Sequence, residues 1–141
     1  MIEIVNNQRK HKIDSEHWRK FTEKALSVIK ESKGKGVTIA FVSDRKQRAL
    51  NAEFRGKDKT TDVLSFPVEQ EEFEDFDNTL GDVVISVEQA ARQAKENGLT
   101  LEQEISQLIL HGLIHLCGYD HETDNGEMNR LELKLRRKLG I

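Results

Sequence analysis

Between Thr100 and Gly118 the chain reads TLEQEISQLILHGLIHLCG, in which Leu101, Ile105, Leu108, Ile109, Leu113 and Leu116 recur at helical spacing and cover one broad face. Thr100 and Gln103 form a capping-box signature at its start, and Gly118 stands where such a helix ends. In a chain of 141 residues with 36% apolar and 33% charged residues, a helix this apolar belongs at the centre of one small core. A second domain is not expected. No stretch approaches the roughly 18 uninterrupted apolar residues that span a bilayer, and MIEIVNNQRKHK puts charge where a signal peptide carries its apolar segment. The single cysteine, Cys117, cannot close an internal disulfide, which agrees with a reducing compartment. The expectation is a cytoplasmic protein.

The remaining elements follow from periodicity. Ile2 and Ile4, then Val37, Ile39 and Phe41, alternate with other residues as half-buried strands do. DVLSFPV (62–68) and GDVVISV (81–87) are short, β-branched and bounded by turn or charge signals, which predicts two more strands. Trp18, Phe21, Ala25, Leu26 and Ile29 predict a helix of about four turns, ended by Lys33-Gly34-Lys35-Gly36. Further helices are expected from Asp44 to about Ala52, from the Ser86/Gln89 capping box to Asn97-Gly98, and along Met128, Leu131, Leu135 and Leu139. The order βαβαββααα, with a crossover long enough to make the first two strands parallel, predicts an α+β domain. Its mixed sheet of about four strands would be packed with about five helices. Residues 69–79, acidic and without apolar period, are expected to form a mobile loop.

Three of the five histidines fall in HGLIHLCGYDH. His111 and His115 are four apart, so on a helix both imidazoles lie on one face and can reach a single ion. Had the helix continued, His121 would sit about 240° off that face and roughly 9 Å further along the axis. Gly118 resolves this, because glycine tolerates the left-handed conformation that ends a helix and lets the chain fold back. Three histidine ligands, unlike the closed four-ligand sets of structural zinc, leave one position for water and so imply chemistry. One zinc ion per chain, held by His111, His115 and His121 on the fourth helix and the loop after it, is the expected cofactor. Cys117, two residues past His115, falls on another side of the helix and reads as packing, while Asp120 is either a hydrogen-bond acceptor for a ligand imidazole or a turn residue.

The spacing is similar to that of metzincin proteases, H-E-x-x-H-x-x-G-x-x-H, but the glutamate that serves them as general base is here Gly112. Met128, offered as a Met-turn, is better read as core from its spacing to Leu131 and Leu135. The run His111 to His121 instead resembles H-G-x-L-H-L-x-G-Y-D-H of the YbeY family of bacterial rRNA maturation endoribonucleases, departing only at Ile114. RGKDKTTDVLSFP (55–67) and LGDVVIS (80–86) extend the resemblance over most of the chain, with Thr60 where that family commonly has proline. The resemblance implies a zinc-bound α+β fold and a single metal-dependent endoribonuclease domain over residues 1–141. It further implies action on ribosomal RNA, particularly the 3′ end of the small-subunit rRNA, with the small ribosomal subunit as partner, and a part in ribosome quality control.

Charge agrees with an RNA substrate only locally. The net charge is −3, yet EQEEFEDFD (69–77) carries six acids, and without them the balance would be +3. From Asp44 to Lys59 six bases stand against three acids, an excess that could attract phosphate or simply form a solvated face. Arg55 lies in this stretch. A planar, always-charged guanidinium in a polar loop could hold the scissile phosphate, or it could pair with Asp58 or Glu53 at the surface. The resemblance places a functional arginine there, and Arg55 is the expected catalytic residue. Asp62 is expected to cap or orient the loop, and Ser65 either points toward the site or alternates outward. Two readings from other classes remain beside the ribonuclease: a metalloprotease, against which Gly112 counts, and a noncatalytic ribosome-assembly factor in which zinc fixes the C-terminal loop. Neither membrane nor DNA is expected as a partner.

Overall fold

A computed structural model describes residues 1–32, 34–68 and 78–141. In chain order the elements are β1 (Ile2–Asn7), α1 (Ser15–Val28), a 3-10 turn (Lys30–Ser32), β2 (Gly36–Val42), α2 (Asp44–Arg55), β3 (Val63–Pro67), β4 (Thr79–Ser86), α3 (Val87–Asn97), α4 (Leu101–Leu116) and α5 (Glu127–Leu139). The α+β class, the single domain and the mixed sheet are as the periodicity predicts. The sheet runs β1-β2-β4-β3, with β1 and β4 both parallel to β2 and β3 antiparallel to β4.

The chain order does not reveal that β4 lies inside the sheet. Its Val83 and Ile85 are fully buried on one face and Val84 nearly so on the other, which is the double burial that an interior strand requires. Val83, Ile85, Ile39, Phe41 and Val37 form the floor of the main core, under α1 and α4. Burying each such side chain fully contributes roughly 1.5–3 kcal/mol. Val42, Leu64 and Val84 form a smaller cluster with Leu50 and Phe66 on the opposite face.

Several boundaries differ from expectation. The first helix ends at Val28 rather than running through Ile29, which takes an extended conformation while still burying its side chain. α2 continues three residues beyond Ala52 to Arg55, because Gly56 adopts the left-handed conformation and donates its N–H back to Ala52 and Asn51. Arg55 is therefore the last residue of a helix, where a cation suits the macrodipole, and not part of a loop. The acidic segment 69–77 lies outside the described residues, and Thr79, expected in the same loop, already belongs to β4. No helix among the described residues is long and apolar enough to cross a membrane.

Candidate metal centre

The central helix α4 forms as its sequence demands: the Thr100 hydroxyl accepts from the Gln103 backbone, and the Gln103 side chain accepts in return from the Thr100 backbone. Its end is equally specific. The Gly118 N–H donates to the His115 carbonyl, the Tyr119 N–H donates to that of Ile114, and Gly118 takes a φ of 99°. This Schellman closure turns the chain back over the last turn of α4. It brings His121, ten residues from His111, to the pair on the helix.

The three imidazoles meet. Their ring centroids lie 4.8 Å apart for His111 and His115, 5.3 Å for His115 and His121, and 5.8 Å for His111 and His121. One nitrogen from each ring lies within 4.8 Å of the others, so the cluster could hold a metal ion. Burial, reinforced by the charges of His111 and His121, pushes the His115 pKa down and favours the neutral imidazole that a metal requires. The donor set fits zinc, which takes imidazole nitrogens in small coordination shells.

Glu132 on α5 completes the centre from behind, a residue that the sequence reading did not single out. Its Oε1 lies 2.5 Å from His111 Nδ1, and its Oε2 accepts from Arg136 at 2.9 Å. Occupying Nδ1 leaves Nε2 of His111 for an ion and fixes the ring. Burial raises the Glu132 pKa, but the hydrogen bond to His111 and the nearby positive charges outweigh it and hold the carboxyl below its ordinary value. A signal was available: Glu132 sits between Leu131 and Leu135 on the buried side of α5, and a nearly buried acid there needs a partner.

Gly112 packs against the sheet. A Cβ built on it would lie 2.7 and 3.0 Å from the methyl carbons of Val83 and 3.3 Å from Ser65 Oγ, so the helix approaches β4 at a distance that only glycine permits. The position occupied by the metzincin glutamate is thus a helix–sheet contact with no room for a carboxylate. Met128 is 1% exposed and belongs to the main core, as its spacing predicts.

Arg55 and Ser65 share one cleft of about 280 Å³ with His115 and His121. Ser65 faces α4, its hydroxyl reaching the Gly112 carbonyl at 3.4 Å. Asp58 instead holds Arg48 at 2.9 Å, and among the described residues no carboxylate pairs with Arg55. Lys57 and Lys59 line an adjoining cleft with Asp62, and Arg55 belongs to both clefts. Asp62 orients its loop: Oδ1 accepts from the Val63 backbone at 2.8 Å and Oδ2 from Gln93 at 3.0 Å. Asp120 takes the turn role, accepting from the Glu122 N–H at 2.9 Å. Cys117 packs against the core, and burial, with Glu31 nearby, pushes its thiol up to about 11, far from thiolate character.

Comparison with known proteins agrees with this geometry. The family model for Endoribonuclease YbeY matches residues 3–140. Proteins called Endoribonuclease YbeY are 41% identical in Desulforamulus reducens, covering 100% of this chain and 99% of that one, and 46% identical in Nautilia profundicola, covering 76% and 74%. The corresponding protein of Aquifex aeolicus is 44% identical over 88% of this chain and 81% of its own. The solution structure of a Thermotoga maritima protein superposes with a TM-score of 0.67 at 30% identity, covering 99% of this chain and 89% of that one.

Proposed function

The chain belongs to the YbeY endoribonuclease family, and on that footing we propose that it is a zinc-dependent, single-strand-specific endoribonuclease acting in the cytoplasm on ribosomal RNA. In this reading it matures the 3′ end of the small-subunit rRNA, meets the small ribosomal subunit as its partner, serves ribosome quality control, and works as one metal-dependent domain over residues 1–141. The observation that carries the proposal is the arrangement of Arg55 across a single cleft from His115 and His121.

His111, His115 and His121 would hold the zinc, which when bound supplies a Lewis acid for a phosphodiester oxygen. The protein's own part is to bind and orient. Glu132 keeps Nδ1 of His111 engaged and its ring fixed. Arg55, at the end of α2, presents its guanidinium to the same cleft and would grip two phosphate oxygens, stabilising the charge that builds as the bond breaks. Lys57 and Lys59 extend the positive wall along which the flanking phosphates would lie. Ribose brings its own 2′-hydroxyl next to the phosphorus, so RNA makes less demand than a peptide on a carboxylate base at position 112. Cleavage of a single-stranded rRNA fragment, compared before and after removal of the metal, tests the proposal.

A further inference from the structure

A groove of about 920 Å³ lies between α5 and the end of α1 with the 3-10 turn that follows it. Tyr119 borders both this groove and the cleft that holds His115 and His121. The floor is apolar: Leu26, Ile29 and Leu135 are buried there, with Leu131 partly buried beside them. The rim is cationic. Lys30 and Lys35 come from the 3-10 turn and the residues after it, and Lys134 and Lys138 stand one helical turn apart on α5. Arg19 is the fifth cation, and the two acids present are already engaged. Glu23 pairs with Arg19 at 3.5 Å, and Glu31 accepts from the Tyr119 hydroxyl at 2.7 Å. Among the described residues no carboxylate pairs with Lys30, Lys35, Lys134 or Lys138. The chain as a whole carries −3, so a lining of five cations and two acids runs against its average and calls for an anionic occupant.

We propose that this groove holds one single-stranded flank of the RNA substrate, its phosphates on the lysines and its bases against the apolar floor. Continuity with the metal cleft carries the argument. Arg55 and Tyr119 both border that cleft, and Tyr119 is where it meets the groove, so a strand leaving the histidines past Tyr119 enters the lysine-lined space. A positively charged groove that tracks the backbone is how proteins hold single strands without reading their sequence. An acidic peptide would match the charge as well, but the shared border with the cleft favours the RNA strand. The other flank would lie toward Lys57 and Lys59, beyond Arg55. The inference rests on the endoribonuclease reading and adds to it a second contact region away from the metal ligands.

The test measures equilibrium binding of RNA to the zinc-loaded protein. A short single-stranded RNA is compared with versions extended by roughly four nucleotides at the 5′ or the 3′ end, each 2′-O-methylated throughout and checked intact afterwards. Extension into the groove should tighten wild-type binding about tenfold and steepen its salt dependence by about 0.7 for each phosphate gained. The double variant Lys134→Gln/Lys138→Gln, at two exposed positions of α5, should lose the gain from one extension and treat the other as the wild type does. Lys24→Gln/Arg137→Gln removes the same charge from exposed positions of α1 and α5 that do not line the groove, and should keep both gains. An equal loss in the two double variants, or a loss on both extensions alike, overturns the groove. Wild-type protein that gains from neither extension overturns the RNA assignment and leaves the groove to an acidic protein. An end-selective gain in protein that cleaves no unmodified RNA would uphold the groove against the endoribonuclease reading, and cleavage without an end-selective gain would do the reverse.

Discussion

Glu132 Oε1 lies 2.5 Å from Nδ1 of His111, which ties the first histidine of the cluster to the last helix of the chain. Since α5 follows the loop that carries His121, this contact fastens both sides of the turn around the site. Glu132→Ala should weaken zinc binding about 10–100-fold, measured by competition with a chromophoric chelator. Glu132→Gln, which keeps an acceptor for Nδ1–H, should lose less. Unchanged affinity in the alanine variant would reduce Glu132 to a partner of Arg136.

Gly112 decides how close α4 comes to β4. Gly112→Ala forces its methyl group against Val83, a stiff and fully buried side chain. Thermal or urea unfolding should show a loss of about 1–3 kcal/mol, and wild-type stability in the variant would mean that the helix can lift at no cost.

Arg55→Ala should leave zinc content and melting temperature near wild type while RNA cleavage falls about a hundredfold to a thousandfold. The exposed guanidinium has no described carboxylate partner to lose. A variant that cleaves normally but melts early would make Arg55 a helix-end residue and nothing more.

Asp44 joins three elements, accepting from Ser86 Oγ at 2.6 Å, from Thr60 Oγ1 at 2.8 Å and from Arg92. Burial raises its pKa, but these hydrogen bonds and the Arg92 charge prevail and leave it below the ordinary 3.8. A depressed folded-state value contributes stability that is present above pH 3.8 and is lost as pH falls from there through the folded value. Asp44→Ala should cost about 1–3 kcal/mol at neutral pH and show a shallower loss of stability in acid than the wild type. Parallel acid titrations of the two proteins would contradict this.

The sequence exposed the parts of the site that depend on local geometry. His111, His115, Gly118 and His121 follow one another along the chain, so helical spacing and one glycine suffice to bring the rings together. What depends on tertiary packing was less readable. Glu132 meets His111 only because α5 lies against α4, and the interior place of β4 shows in the unbroken Val83-Val84-Ile85 run rather than in strand order. The residues after Ala52 carry no apolar period, so periodicity alone ends the helix before Arg55, whereas Gly56 fixes its true end.

If His111, His115 and His121 hold a zinc ion that takes part in the reaction, RNA cleavage must follow the metal. The direct measurement is cleavage of a single-stranded rRNA fragment by protein whose zinc is counted by elemental analysis, as purified, after chelation and after zinc is restored. The purified protein should carry close to one zinc per chain, cleavage should disappear with the metal and return with it, and His115→Ala should show neither zinc nor cleavage. Full cleavage by metal-free protein or by His115→Ala would contradict it.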